Sequence, residues 1–550
     1  MSTPSTPTTS LSPSSQGAFP PADRDRILDL VFDPTTGLGL EIARYNVGGS
    51  GWTSRDGPNF RAGAGVPSYQ GPDGIYDWTQ DAAQRAILLG ARDRGAHTFE
   101  AFANSPPYWM TASGRASGAA WGCASNLPRG RVGEFADYLV AVVSHFRDAH
   151  ALHFSTIAPF NEPREVSWWV GTNQEGCRFR PAEQRRVVAA LGDRLRAAGL
   201  ADVGVALAAS DENRVDRAVS SLELTLARRV ALRAGPGGQP VATLEGLAER
   251  DLSLIAHVST HGYAGLDSRP ALKAVARLAG TPVWMSEVGF GPAPPSSILG
   301  ALVLASNVAA DVNLMGASAW VYWQAVEDLD GGAWKGLAAL RPLSSLGFRA
   351  LFILSLGGDE LKRWLQAKLV RKHRGEAAAR EWARPWWGLV LVSFRGVAGT
   401  PADVVVSKQY HGLAHFSRFI RAGDIMLDVP AERARDTVAA LSACGRRATV
   451  VVVNDAPTPR PARFDFGPFL AAGKEGGKDA PKKGRKSGAR ADVDSARDEG
   501  VGAAATARVW VTDPARDMAP LPDAALTPAG VLDVVVPPLA VATYVVERAA

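Results

Sequence analysis

Cysteine is scarce in this chain. Its 550 residues include three, Cys123, Cys177 and Cys444. So small and odd a number excludes a disulfide scaffold. No Cys/His spacing matches a zinc-ligand set, and no metal or cofactor is implied. Long apolar runs are missing as well. None approaches the roughly 18–20 residues of a membrane helix, so no membrane span is expected. Residues 1–20 have no basic start and no apolar core, so the chain as given shows no secretory signal. Basic and aromatic residues are not interleaved on one face, which excludes nucleic acid as the expected partner. The formal net charge of +5 owes much to one basic segment near the C-terminus.

What is present reads as globular. Hydrophobic residues make up 46% and charged residues 21%, and the length allows two domains or more. Tryptophan is plentiful, with 15 residues. Indole rings cover the flat C–H faces of sugars and leave the hydroxyls free to bond elsewhere. They also fill cores, and both uses are expected. Two stretches carry the chemistry. Phe154–Pro159 is a short strand pattern running into Phe160-Asn161-Glu162-Pro163. Thr281–Ser286 is another, running into Glu287-Val288-Gly289. Each delivers a carboxylate at the C-terminal tip of a strand, where a (β/α)8 barrel carries its catalytic groups. A pair of such carboxylates is what a retaining glycosidase needs, one as acid/base and one as nucleophile.

Asn161-Glu162-Pro163 together with Trp284-Met285-Ser286-Glu287 resembles the clan A glycoside hydrolases. The longer run from Phe160 to Gln174-Glu175-Gly176-Cys177 is similar to the endo-β-1,6-galactanase branch of glycoside hydrolase family 30. The resemblance covers roughly Arg26 to Gln324 and, more loosely, the chain from Trp386 onward. It implies an acid/base at Glu162 and a nucleophile at Glu287. It also implies a secreted protein.

Further site residues follow from the same resemblance. Arg44 ends the strand pattern Gly37–Asn46 and would lie beneath the active site. Asn104 and Trp109 belong to the loop Asn104-Ser105-Pro106-Pro107-Tyr108-Trp109-Met110, which walls the site; for Trp109 a core role is equally open. Asn161, Trp168, Trp169, Gln174 and Glu175 would shape the sugar site, and Glu175 is a mid-loop rival to Glu162 as acid. Tyr263 would place its hydroxyl on the nucleophile, with His261 as a binding candidate. Trp323 would be a sugar platform. Asp211 reads as a solvated loop residue. Cys123 and Cys177 fall in loops on one face of the barrel, so a disulfide between them is open.

The expected architecture is a (β/α)8 TIM barrel followed by an all-β sandwich. Nothing in residues 1–22 resembles the family's first strand, so that strand is expected to be missing. Residues 1–22 read as disordered, 23–326 as the catalytic barrel, 327–385 as a charged helical insertion, and 386–550 as the sandwich. The sandwich is interrupted by a disordered basic segment at 473–501. The expected function is retaining endo-hydrolysis of β-1,6-galactan, with a polysaccharide or oligosaccharide as partner and oligomeric state open. The alternatives are a β-1,6-glucanase or another β-glycosidase of the family, and a carbohydrate-binding protein without turnover.

Overall fold

The computed structural model describes residues 20–51, 60, 64–225, 229–234, 240–245, 254–290, 293–329, 386–393, 403–471 and 505–548. Residues 1–19, nearly all of the expected insertion and the basic segment lie outside these.

Seven parallel strands form the central sheet, in the order β1 (Ile42–Asn46), β2 (Thr98–Phe102), β3 (Thr156–Ala158), β4 (Ala206–Arg214), β7 (Ile255–Ala264), β8 (Val283–Val288) and β9 (Ala317–Tyr322). A hairpin of β5 (Arg229–Ala234) and β6 (Pro240–Glu245) stands apart from it. Side chains alternate across each strand. In β2, Phe99 and Ala101 join the core under the helices, while Phe102 packs inside with Ala158 and Ala208. Glu100 shares the inward parity of Phe102, and it pairs in register with Arg44 on β1 and Thr156 on β3.

The helices cover this sheet because each has one apolar stripe. In α3 (Val132–His150), Phe135, Tyr138, Leu139, Val142, Val143 and Phe146 are all buried, a spacing of three and four residues. Its neighbours are α2 (Ala82–Arg92) and α4 (Pro181–Ala197). The first helix, α1, begins at Pro21 and runs to Phe32, with proline in the first turn where its missing N–H is harmless.

Among the described residues the barrel has seven strands, one fewer than eight, as the sequence suggested. Its edges are β1 and β9. Across the gap Ile42 meets Ala319 and Val321 in one apolar cluster, with Trp284 against it. The lead-in to β1 is held from outside: Leu38 and Leu40 donate to Leu30 and Val31 carbonyls at 2.9 and 3.1 Å. Arg421, from the C-terminal half, donates to the Gly39 carbonyl at 2.6 Å and pairs with Glu41 at 2.8 Å. An exposed edge is thereby covered rather than left open.

One helix corrects the sequence reading. Ile298–Met315 is 18 residues with mean hydropathy 1.6, long and apolar enough to cross a membrane by length and composition. It is 67% buried. Its helical part, α7 (Ile298–Ala310), packs against α8 (Lys408–Ser417) and also meets the C-terminal sheet. A helix enclosed between two layers is apolar all round. The approach of α7 and α8 is close: a Cβ on Gly412 would sit 2.9 Å from the Ala301 Cα.

Beyond the barrel, β10 (Val326–Asp328) pairs in parallel with β11 (Val390–Val392), which pairs antiparallel with β12 (Val404–Val406). A six-stranded sheet follows, composed of β13 (Ile425–Leu427), β14 (Thr437–Leu441), β15 (Arg447–Asn454), β17 (Thr506–Thr512), β18 (Ala519–Ala525) and β20 (Ala540–Glu547). A separate pair, β16 (Arg460–Asp465) and β19 (Val531–Val536), lies over it. Their facing side chains, among them Val450, Val452, Phe466, Leu532 and Tyr544, make a second core.

No disulfide joins Cys123 and Cys177. Cys177 is buried among core side chains beside Phe179, whereas Cys123 is exposed, so their sulfurs point into different surroundings. Cys444 is also free and exposed. Hydrogen bonds from Ser442 and the Arg446 backbone hold its thiol down at about 7. Two thiols are therefore expected to react with a water-soluble disulfide reagent in the native protein, Cys444 first, and three after denaturation. A single thiol after denaturation without reductant would restore the bridge.

Candidate active site

Glu162 follows β3 after four residues, and its backbone takes a left-handed conformation, φ 50°. Few residues other than glycine do so, and such positions gather at functional sites. Asp211, in β4, shares it with φ 60°, and the Glu162 N–H donates to the Asp211 carbonyl at 2.8 Å. Glu287 arrives on β8. A Cβ on Gly289, two residues on, would lie 2.2 Å from the Trp323 carbonyl oxygen, so glycine is needed where β8 and β9 close together. Oxygens of Glu162 and Glu287 and a ring nitrogen of His261 lie within 4.8 Å of one another.

Arg44 lies beneath this pair and is completely buried. Its Nε donates to Glu100 at 2.9 Å, one terminal nitrogen to Asp211 at 2.8 Å, and the other to Glu287 at 3.3 Å and the Ser286 carbonyl at 3.2 Å. Phe102 packs its ring 4.2 Å from the guanidinium. Burial opposes the charge, but the three carboxylates more than compensate and hold Arg44 protonated. The planar fork of arginine suits three acids at once in a way lysine could not.

His261 is the second buried cation. Nδ1 lies 3.1 Å from Glu162 and 3.7 Å from Glu287, and Nε2 lies 3.3 Å from Asp211. The Nε2 contact is an ion pair without hydrogen-bond alignment. Burial opposes protonation, yet Glu287 and Asp211 push the imidazole well above its ordinary range. Burial would likewise raise Asp211, but Arg44, His261 and a 2.6 Å bond from Ser286 hold it well below the usual carboxylate range. Glu162 goes the other way: burial pushes it up, and the bond from His261 only partly offsets this. Two cations among four acids leave the site short of positive charge. The deficit falls on Glu162 and Glu100, both pushed up by burial. Tyr263 donates to the Glu287 Oε1 at 2.9 Å. Glu162, His261 and Glu287 have the atoms to ligate a cation, but a protonated imidazole offers no lone pair.

Other expected residues divide by exposure. Asn161 is buried, and its Oδ1 has no hydrogen-bond partner among the described residues. Asn104, Gln174 and Trp323 are partly buried. The Trp109 indole donates to the Gln70 carbonyl at 2.9 Å. Trp169 is 47% exposed, whereas Trp168 is buried and donates to the Glu162 carbonyl at 2.9 Å, a strut rather than an open platform. Glu175 does not face the cleft. It is fully buried, and it accepts from Gly49 N, Ser50 Oγ, Val66 N and Asn46 Nδ2, pinning the loop after β1.

Sequence reasoning missed the second layer. Asp211 is not a solvated loop residue, because β4 continues to Arg214 and turns the side chain inward. Glu100 accepts from Thr156 at 2.9 Å and from His257 at 3.0 Å. Burial pushes His257 down to about 3, so it is neutral, and it stacks on Trp284 at 3.8 Å. A glutamate between Phe99 and Ala101 was the available signal.

Two carboxylates at strand tips over a buried arginine, inside a parallel barrel, are the arrangement of a barrel glycoside hydrolase. Comparison with known proteins agrees. Residues 22–221 match the family model for O-glycosyl hydrolase family 30. An endo-β-1,6-galactanase of Hypocrea rufa is 31% identical over 313 residues, 54% of this chain and 58% of that protein. An exo-β-1,6-galactobiohydrolase of Bifidobacterium longum subsp. longum is 31% identical over 172 residues, 24% of this chain and 11% of that protein. The matches thus span little more than half of one curated relative and about a tenth of the other. Among solved structures, a conserved exported protein of Bacteroides fragilis superposes with TM-score 0.66 at 18% identity, covering 99% of this chain and 98% of that one. A family 30 xylanase C of Talaromyces cellulolyticus gives 0.59 at 15%, covering 99% and 96%. An endo-β-1,6-glucanase gives 0.58 at 13%, covering 99% and 90%. Over residues 22–221 the chain is thus similar to O-glycosyl hydrolase family 30.

Two outcomes follow from the charge network. Arg44→Met strands Glu100 and Asp211 without their cation, and it should destabilise the fold by about 3–5 kcal/mol in chemical denaturation. A loss below about 1 kcal/mol would show that the acids find other partners. For His261→Gln the reading is the pH profile of kcat/KM. On the acid/base role proposed for Glu162 below, activity falls as pH rises through its raised pKa. His261 holds that pKa down, so its removal should move the alkaline limb to higher pH. An unmoved limb would separate His261 from the acid.

Proposed function

We propose that the chain hydrolyses β-1,6-linked galactan with retention of configuration, acting within the polymer. The single observation that carries this is the approach of Glu162 and Glu287 oxygens to within 4.8 Å. Retaining enzymes hold their carboxyl groups about 5–5.5 Å apart, whereas inverting enzymes leave about 6.5–9.5 Å for a water. Nearest oxygens are somewhat closer than group centres, so the spacing suits direct attack. The substrate follows from the galactanase relative at 31% identity.

Glu162, kept protonated by its burial, gives its proton to the glycosidic oxygen. Glu287 attacks the anomeric carbon, and a covalent glycosyl-enzyme forms as the leaving sugar departs. Arg44 and Tyr263 each grip one oxygen of Glu287, which fixes the carboxylate for the attack. Glu162, now ionised beside the His261 imidazolium, takes a proton from water as that water displaces Glu287. Asn161, Asn104 and Gln174 are the proposed partners of sugar hydroxyls, and Trp109, Trp169 and Trp323 the proposed stacking rings. The barrel, residues 23–326, carries the reaction and the sandwich supports it.

The two glutamates have distinguishable failures. Glu287→Ala should lose turnover on every substrate. Glu162→Ala should still release an acidic aryl leaving group, because general acid help, worth about 10²–10⁴-fold, matters most for a poor one. Azide should then restore its turnover and yield a β-glycosyl azide, detected by NMR. A β-azide from Glu287→Ala together with an α-azide from Glu162→Ala would exchange the roles, and full activity in both variants would move the site elsewhere.

A further inference from the structure

Two loops on the C-terminal side of the barrel are joined into one ledge. Residues 111–127 follow β2, and residues 163–179 follow β3 and begin directly at Glu162. Ala119 and Trp169 form a parallel bridge, and the Val170 N–H donates to the Ala119 carbonyl at 2.9 Å. The Gly176 N–H donates to Ala116 at 2.9 Å, the Thr172 hydroxyl to Ser117 at 2.9 Å, and Arg178 to the Cys123 carbonyl at 2.7 Å. The ledge is also tied to the acid, because the Trp168 indole holds the Glu162 carbonyl.

This well-bonded ledge presents large apolar side chains to water. Trp121 is 80% exposed, Val166 51% and Trp169 47%. Trp121 is the most exposed large hydrophobic side chain among the described residues. A rigid loop has no folding reason to hold an indole in solvent, and clustered exposed apolar surface marks a binding site. The flat ring with a polar N–H at its edge suits a sugar face. The ledge is also joined to the proposed catalytic pair through the chain, since its second loop starts at Glu162 and Trp168 bonds the Glu162 carbonyl.

We propose that Trp121, together with Trp169, binds sugar units of the same galactan chain that lie beyond those held at Glu162 and Glu287. This rests on the proposed function for the identity of the polymer. Long chains gain from the ledge, and substrates spanning only the catalytic pair do not.

The test compares polymeric β-1,6-galactan with a short aryl β-galactoside. Trp121→Ala should lower kcat/KM on the polymer about tenfold through KM, and leave the aryl substrate unchanged. Trp121→Phe, which keeps a flat ring, should retain most of the polymer activity. Equal losses on both substrates, or none on the polymer, would overturn the platform. A binding measurement separates this from failure of the functional reading. In native gels containing galactan, retardation of the parent protein but not of Trp121→Ala supports the platform even if no substrate is cleaved. Equal migration of the two overturns it.

Discussion

A guanidinium sealed in the barrel axis is the contact on which the site depends. Arg44 reaches acids from three other strands: Glu100 on β2, Asp211 on β4 and Glu287 on β8. Alone, each of these would be an expensive buried charge. Together they fix where four strand ends stand relative to one another. The geometry above them, including the left-handed turn at Glu162 that leans on the Asp211 carbonyl, inherits that fixity. Stability and chemistry are therefore not separable here. The ion network that closes the interior is also the one that orients Glu287.

The parts of this legible in the sequence were those that break a pattern. A carboxylate at the tip of an apolar strand is anomalous, which exposed Glu162 and Glu287, whereas His261 and Tyr263 came from the family resemblance. The parts that could not be read were those that fit a bland pattern equally well. Glu175 and Asp211 are both acids among polar neighbours, yet one clamps a loop and the other pairs with Arg44. Nothing local tells which way such a side chain turns. Trp168 and Trp169 are chemically identical neighbours, and only the fold decides that the first becomes a strut and the second stays open.

The gap between β1 and β9 among the described residues has less effect than an unclosed sheet would suggest. Ile42 meets Ala319 and Val321 across the gap, so the interior stays apolar there, and Arg421 with Glu41 binds the lead-in of β1 to the C-terminal half. Gln409 completes the attachment by donating to the Phe290 and Trp386 carbonyls while Tyr322 donates to its Oε1. The two halves thus behave as one body around the barrel's open side.

The pairing of β10 with β11 limits how the chain between them can be redesigned. Those strands run in the same direction, so the end of one and the start of the other lie at opposite ends of the ladder. A tight hairpin cannot replace the connection; parallel neighbours need a crossover of about a dozen residues or more. Most of the native linker is therefore surplus to geometry, but a minimum is not. A shortened protein that respected that return path could keep both strands, whereas a direct splice of Asp328 to Val390 would force β11 to reverse and would turn its core-facing side chains toward solvent.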